Sequence, residues 1–164
     1  MKEYFNEEEL ISLKENDDLL YKTLELILKV FEGSLDKGGL PYYNHLFKVY
    51  SKVTSYDEKI VALLHDIIED KKVTKEDLLQ LSYPQHIIDA VVILTKKKGA
   101  YYPDYIESII ESNNKLAMNV KLADLEHNMD LTRISNPTVN DYERVNKRYM
   151  PAYTRIKNKL EELN

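Results

Sequence analysis

Four titratable side chains fall within six positions of one run, Ile60-Val61-Ala62-Leu63-Leu64-His65-Asp66-Ile67-Ile68-Glu69-Asp70. At about 100° per residue, His65, Asp66, Glu69 and Asp70 span an arc of roughly 140°, one face of a helix. His65 and Glu69 stand one turn apart, as do Asp66 and Asp70. The turn before them is apolar all round and reads as a buried helix. Three carboxylates on the inner part of such a helix repel one another and lose hydration, at a cost of several kcal/mol for each unpaired charge. A divalent cation removes the conflict, because it becomes the dominant local charge. The plain alternative is an acidic face turned to water. Ile67 and Ile68 leave little room for a wide apolar stripe elsewhere, which favours a metal or catalytic site.

Composition narrows the chemistry. There is no cysteine, so thiolate sites and disulfides are excluded and any metal is held by His, Asp and Glu. The formal charge of -5 argues against a surface that tracks nucleic-acid phosphates, yet allows a small anionic substrate at a local basic patch. The stretch Met1-Lys2-Glu3-Tyr4-Phe5-Asn6-Glu7 has no apolar signal core, and no apolar run approaches membrane-spanning length. The expectation is a cytoplasmic protein with no membrane partner. A length of 164 residues suits one domain, 1–164, with 1–20 as an N-terminal helical extension. Such a chain buries about two thirds of its unfolded surface.

The elements that must position these residues read as helices throughout. Asn6 and the acids after it start a small surface helix to about Lys14. Asp17 or Asp18 caps a second, with Leu19, Leu20, Leu24, Ile27, Leu28 and Phe31 at helical spacing and Gly33 at its end. Ser34 to Leu40 is a loop tipped by Lys37-Gly38-Gly39, either a plain turn or a close approach to a ligand. Pro41 opens a helix bearing His45. Tyr56-Asp57 starts the central helix, with Lys71-Lys72 suiting its C-terminal dipole. Thr74 and Asp77 form a capping box for a short helix through Leu81. Pro84 begins another, ending at the basic run Lys96-Lys97-Lys98, which either complements the helix dipole or funnels an anion. His86 is structural or exposed. Tyr101-Tyr102-Pro103 leads into a helix broken at Asn113-Asn114. A long helix from Lys115 to Ser135 carries Asp124 and Asn128 on one face. Thr138 caps the last, which Pro151 kinks or divides. The expectation is an all-α, compact multi-helix bundle of eight or nine helices.

Three segments taken together are Pro41-Tyr42-Tyr43-Asn44-His45, His65-Asp66-Ile67-Ile68-Glu69-Asp70 and Lys121-Leu122-Ala123-Asp124-Leu125-Glu126-His127-Asn128-Met129. In order and spacing they resemble the HD-superfamily metal phosphohydrolases, above all the hydrolase domain of the RelA/SpoT alarmone enzymes and their small stand-alone relatives. The resemblance runs from about Leu24 to the C-terminal helix. It implies an HD-domain bundle with His45, His65, Asp66 and Asp124 as metal ligands. It suggests manganese, while the residue types alone also accept zinc, iron or nickel. Glu69 and Asp70 would lie beside the metal and exchange the proton of an activated water. Asn128 would reach the ribose region of a nucleotide and Lys37 the base. Lys121 would be a substrate group or a support for the ligands, the alternative being a surface lysine. His127 is not a ligand in the pattern.

The activity so implied is release of pyrophosphate from the 3′ position of a guanosine alarmone. No synthetase half is expected. Four positions depart from the family pattern: Asp36 where arginine is usual before Lys37, Leu125 where arginine follows the motif aspartate, and Asp130-Leu131 in place of a basic residue and threonine. The metal half is intact and the base-reading half has drifted. The alternatives are a phosphatase of the same fold acting on another nucleotide, and a non-catalytic helical module that binds a nucleotide or a protein.

Overall fold

A computed structural model describes residues 3–70 and 73–164. Met1 and Lys2, and Lys71 and Lys72 with the dipole role expected of them, lie outside the described residues. Eleven α-helical segments follow one another: α1 (Glu7–Glu15), α2 (Leu19–Val30), α3 (Tyr43–Ser51), α4 (Tyr56–Leu64), α5 (Ile67–Asp70), α6 (Lys75–Gln80), α7 (Gln85–Leu94), α8 (Tyr102–Glu111), α9 (Lys115–Met129), α10 (Val139–Arg144) and α11 (Met150–Leu163). A 3₁₀ turn at Leu131–Arg133 follows α9, and a π-helical turn at Val145–Tyr149 joins α10 to α11. Taking α4 with α5, and 139–163, each as one bent helix leaves nine among the described residues. No strand forms among them beyond an isolated Leu35–Pro41 bridge.

The core is built around α4 and α9. Ile60, Val61, Ala62, Leu63 and Leu64 are all fully buried, so the second half of α4 has no solvent face. It packs against α2, α3, α7 and α9, while α9 also meets α8 and α11. Phe31, Phe47, Leu46, Ile87, Ile106 and Ile156 close the apolar interior around them. Starts are fixed by reciprocal capping boxes at Asn6/Glu9, Ser55/Glu58, Thr74/Asp77 and Thr138/Asp141. Each such cap contributes about 1 kcal/mol. Helix α1 buries none of its residues, as its sequence implies.

The helix boundaries differ from the sequence reading in three places, each with a local cause, while the last helix is divided near Pro151 as expected. Pro41 does not open α3; it sits in the bridge to Leu35, and the helix begins at Tyr43. The central helix is not continuous to Asp70: it breaks at His65-Asp66, where the His65 Nδ1 lies 2.6 Å from the Ala62 carbonyl. The long helix ends at Met129 rather than Ser135, because Asp130 turns extended and its carboxylate accepts from the Thr132 N–H, capping the 3₁₀ turn. Pro151 stands in the first turn of α11, directly after the π-turn. A proline lacks an N–H and crowds the carbonyl four residues back, and a π-turn is one way a helix accommodates such a disruption.

Candidate metal centre

Three separated pieces of chain bring their polar side chains to one point. His45 comes from α3, His65 and Asp66 from the break between α4 and α5, and Asp124 from α9. His45 Nε2 is 3.0 Å from Asp124 Oδ1 and 3.6 Å from Asp66 Oδ2. His65 Nε2 is 3.1 Å from Asp66 Oδ2 and 3.4 Å from Asp124 Oδ1. His45, His65 and Asp124 each offer a donor atom, all within 4.8 Å of one another. His45, His65 and Asp124 are buried; Asp66 is half-buried.

The first expectation needs one correction. Glu69 and Asp70 are not withdrawn among the isoleucines; both are exposed, at the rim of the site. The crowded buried charge is Asp66 with Asp124, one from each side.

The donor set suits a divalent cation. The Ala62 carbonyl can only accept, so the His65 Nδ1 carries a proton, and in the neutral ring Nε2 is the nitrogen left to face a cation. That Nε2 is buried and has no well-aligned hydrogen bond among the described residues, although two carboxylates stand beside it. The remaining carboxylate valences are taken up by neighbours. Tyr42 donates to Asp66 Oδ2 at 2.6 Å, Lys121 to Asp124 Oδ2 at 2.9 Å and Asn128 to Asp124 Oδ1 at 2.9 Å. Partners of this kind orient metal ligands.

Protonation follows from these contacts. Burial alone would push the His65 imidazolium down, but Asp66 and Asp124 outweigh it and hold its pKa well above the ordinary value. Burial raises Asp124, yet Lys121, His45 and His65 outweigh that and hold it well below the carboxylate range. Asp66 is lowered in the same way, chiefly by His65 against its burial. Glu69 is exposed as a residue, but its carboxylate is partly desolvated against the cavity wall, and that with the Asp66 charge pushes its pKa up. Burial, His45 and Arg133 push His127 down to about 4. An imidazole and a carboxylate pair poised like this would exchange protons for a cation.

A cavity of about 220 Å³ opens over the centre. Its wall contains Glu69, Asp70, Lys37, Lys121 and Asn128, so every residue expected to touch substrate or proton is present. Lys121 is 9% exposed and already bound to Asp124, which makes it a support of the carboxylate rather than a surface lysine. The basic run contributes Lys96, whose backbone N–H donates to Glu69 Oε1 at 2.7 Å; Lys97 does not line the cavity. His86 is exposed and pairs with Asp57 at 2.9 Å, away from the centre.

Sequence reasoning missed several groups. Tyr42 reads as an apolar-face residue but holds Asp66. Tyr149 is brought to the cavity by the π-turn and receives the Lys37 ammonium at 3.3 Å. Arg133 lines the cavity and donates to Asn128 Oδ1 at 3.4 Å. His127, set aside as a non-ligand, lies against His45 with the two Nδ1 atoms 2.6 Å apart. Only the adjacency of Tyr42 and His127 to motif residues signalled them.

Three of the departures from the family pattern have a structural task. The Asp36 carboxylate accepts from the Gly38 and Leu40 N–H groups at 2.8 and 3.0 Å and so shapes the Lys37 loop. Leu125 is fully buried in the core. Asp130 caps the 3₁₀ turn that presents Arg133.

No family model matches the chain. It is 30% identical over 171 residues to the GTP pyrophosphokinase of Myxococcus xanthus, covering 90% of this chain and 22% of that protein. It is 29% identical over 154 residues to the bifunctional (p)ppGpp synthase/hydrolase SpoT of Escherichia coli K12, covering 80% of this chain and 22% of that protein. A guanosine-3′,5′-bis(diphosphate) 3′-pyrophosphohydrolase of Borreliella burgdorferi is 27% identical over 86% of this chain and 23% of its own length. The chain thus spans about a fifth of these curated relatives. Among solved structures, a metazoan ortholog of SpoT that hydrolyses ppGpp superposes with a TM-score of 0.61 at 23% identity, over 88% of this chain and 92% of that one. The all-α fold is therefore that of the RelA/SpoT-like HD hydrolase domain, which the chain also resembles in sequence.

Proposed function

We propose that the chain is a metal-dependent phosphohydrolase that releases pyrophosphate from the 3′ position of guanosine tetra- or pentaphosphate or a closely related nucleotide. One observation carries the reading. Two imidazoles and two carboxylates from three separated segments converge beside a cavity whose wall bears a Glu-Asp pair. The similarity to (p)ppGpp hydrolases over most of the chain supports it.

His45, His65, Asp66 and Asp124 would hold the cation, with manganese favoured. A bound divalent ion supplies charge to offset the phosphoryl oxygens and lowers the pKa of a water beside it. Glu69 accepts a proton from the attacking water as its oxygen bonds to the 3′ phosphorus. The bond from that phosphorus to the ribose 3′ oxygen breaks, and the carboxylate pair returns the proton to that oxygen. The products are the 3′ hydroxyl and pyrophosphate. The Lys96 N–H keeps the Glu69 carboxylate oriented. Asn128 faces the ribose, and Lys37, steadied by Tyr149, faces the base. The SpoT-type relatives suit an enzyme of the cytoplasm, and we assign this one there. Among the described residues no helix is long and apolar enough to cross a membrane.

Asp36, bound to its own loop, leaves a single cation in that loop to meet the base. A guanine-only preference is therefore open to test. Purified protein with manganese should release pyrophosphate from the alarmone, and Asp124→Ala should not. Wild type no faster than Asp124→Ala would discard that substrate. A nucleotide panel read for phosphate against pyrophosphate separates a monophosphatase.

A further inference from the structure

We propose that His127 is a positioning residue: it accepts a hydrogen bond from His45 Nδ1, fixing the His45 ring proton there and leaving Nε2 free to face a cation. The inference rests on the metal reading above for its consequence, but the hydrogen bond it concerns exists in the protein by itself.

The two Nδ1 atoms are 2.6 Å apart, with ring centroids 4.9 Å apart and 24° between planes, so the rings meet edge to edge. Two ring nitrogens this close share one proton, since two lone pairs or two N–H groups would repel. That leaves two arrangements. If His127 Nδ1 carries the proton, a neutral His45 has its own on Nε2, pointing at Asp124 Oδ1 3.0 Å away. That nitrogen is then closed to a metal. If His45 Nδ1 carries the proton, Nε2 presents its lone pair to the same place as His65 Nε2.

The placement of Nε2 favours the second arrangement. It stands 3.0 Å from Asp124 Oδ1 and 3.6 Å from Asp66 Oδ2, at the point the His65 Nε2 also faces, and can reach a cation there only through its lone pair. The ring proton of His45 then sits on Nδ1, and His127 Nδ1 at 2.6 Å is its acceptor. The far edge of His127 borders a second cavity of about 510 Å³ with Asp36, Asn44 and Asp130 in its wall, which gives its Nε2–H an outlet.

His65 meets the same requirement differently. Its Nδ1 faces a backbone carbonyl, which has no proton to give. His45 lies in the first turns of α3 and has a side chain in that place instead. Helix α9 supplies it, three residues after Asp124 and so on the same face. One helix thereby provides the ligand Asp124, its supports Lys121 and Asn128, and the group that orients His45.

The test uses the full chain, two variants and two readouts. His127→Asn places an amide oxygen near the lost Nδ1; His127→Phe keeps a ring with no acceptor. ¹⁵N NMR of the metal-free and zinc-loaded wild type should show the one-bond N–H coupling at His45 Nδ1, with coupling across the hydrogen bond to His127 Nδ1. Mn²⁺ affinity by calorimetry should weaken about 10–100-fold in His127→Phe, and His127→Asn should recover most of the loss. A proton on His127 Nδ1, or His127→Phe binding Mn²⁺ as wild type does, overturns the proposal. So does a folded His127→Asn no better than His127→Phe. If His127→Phe fails to fold, the wild-type spectrum and His127→Asn decide. A wild type that binds no divalent ion would sink the metal reading, and the proton position in the metal-free protein would still decide what His127 does to His45.

Discussion

Replacing Lys121 by methionine separates its two possible duties, support of Asp124 and contact with substrate. The ammonium is 2.9 Å from Asp124 Oδ2 and 5.1 Å from the centre of the Tyr105 ring. Burial alone would favour neutral lysine, but Asp124, Tyr105 and Tyr102 outweigh it and keep the group charged. At 2.9 Å and an effective dielectric of about 20, the pair attracts by about 6 kcal/mol before desolvation is subtracted. Removing one partner of a buried pair costs about 3–5 kcal/mol, because the other charge is left stranded. Methionine fills similar volume, so packing adds little. His45 and His65 still face Asp124, which sets the expected loss at the lower end, about 3 kcal/mol. In a chain of this size that is a fall in Tm of about 6–12 °C.

The dependence on metal is the sharper part. In chelator, Lys121→Met leaves Asp124 with the imidazoles and the neutral Asn128 amide. With saturating Mn²⁺ the carboxylate regains a strong positive partner, so the gap between variant and wild type should narrow. Scanning calorimetry of both proteins in chelator and in excess Mn²⁺ measures the four values needed. An equal gap in both conditions, or a gap below about 2 °C in chelator, would refute the reasoning. Asp124 would then not depend on Lys121.

Other perturbations have distinct signatures. Glu69→Gln should lower kcat about 10²–10⁴-fold with Mn²⁺ affinity kept, measured by pyrophosphate release and calorimetry. Burial and Asp66 raise the Glu69 pKa, so below that raised value the protonated group cannot take a proton and the rate falls. The acid limb of the wild-type profile should therefore lie above the ordinary value of 4.5 and vanish in the variant. In chelator, the raised His65 contributes stability that is complete below its ordinary 6.5 and lost as pH climbs through its folded value. The depressed Asp124 contributes stability complete above its ordinary 3.8 and lost as pH falls through its folded value. Metal-free Tm should peak between those ordinary values, and Mn²⁺ should remove the alkaline decline. Gly38→Ala should raise KM and leave metal content unchanged, since the added Cβ meets the Arg133 carbonyl oxygen at 2.9 Å and forces the Lys37 loop away.

What the sequence revealed and what it hid divide along one physical line. Local signals were legible. Caps at Thr74 and Thr138 gave helix starts to the residue, and the all-apolar turn before His65 marked the buried α4. The resemblance placed His45 and Asp124 beside the His65-Asp66 doublet, which no periodicity could do, because the two lie on α3 and α9. Groups acting across the fold were hidden. Tyr42 has the spacing of a core tyrosine, and its hydroxyl finds Asp66 only once α3 and the α4–α5 break meet. Nothing in Lys96 announces that its backbone, not its charge, reaches Glu69. The break at His65-Asp66 was also invisible. A continuous helix fits the pattern there, but the His65 Nδ1 engages a carbonyl of its own helix, and the chain turns where the two ligands leave it. The departures from the family pattern then change meaning. Asp36, Leu125 and Asp130 shape a loop, fill the core and cap a turn. None of these departures falls on His45, His65, Asp66 or Asp124, so under the proposed function they bear on the choice of substrate and leave the proposed metal ligands intact.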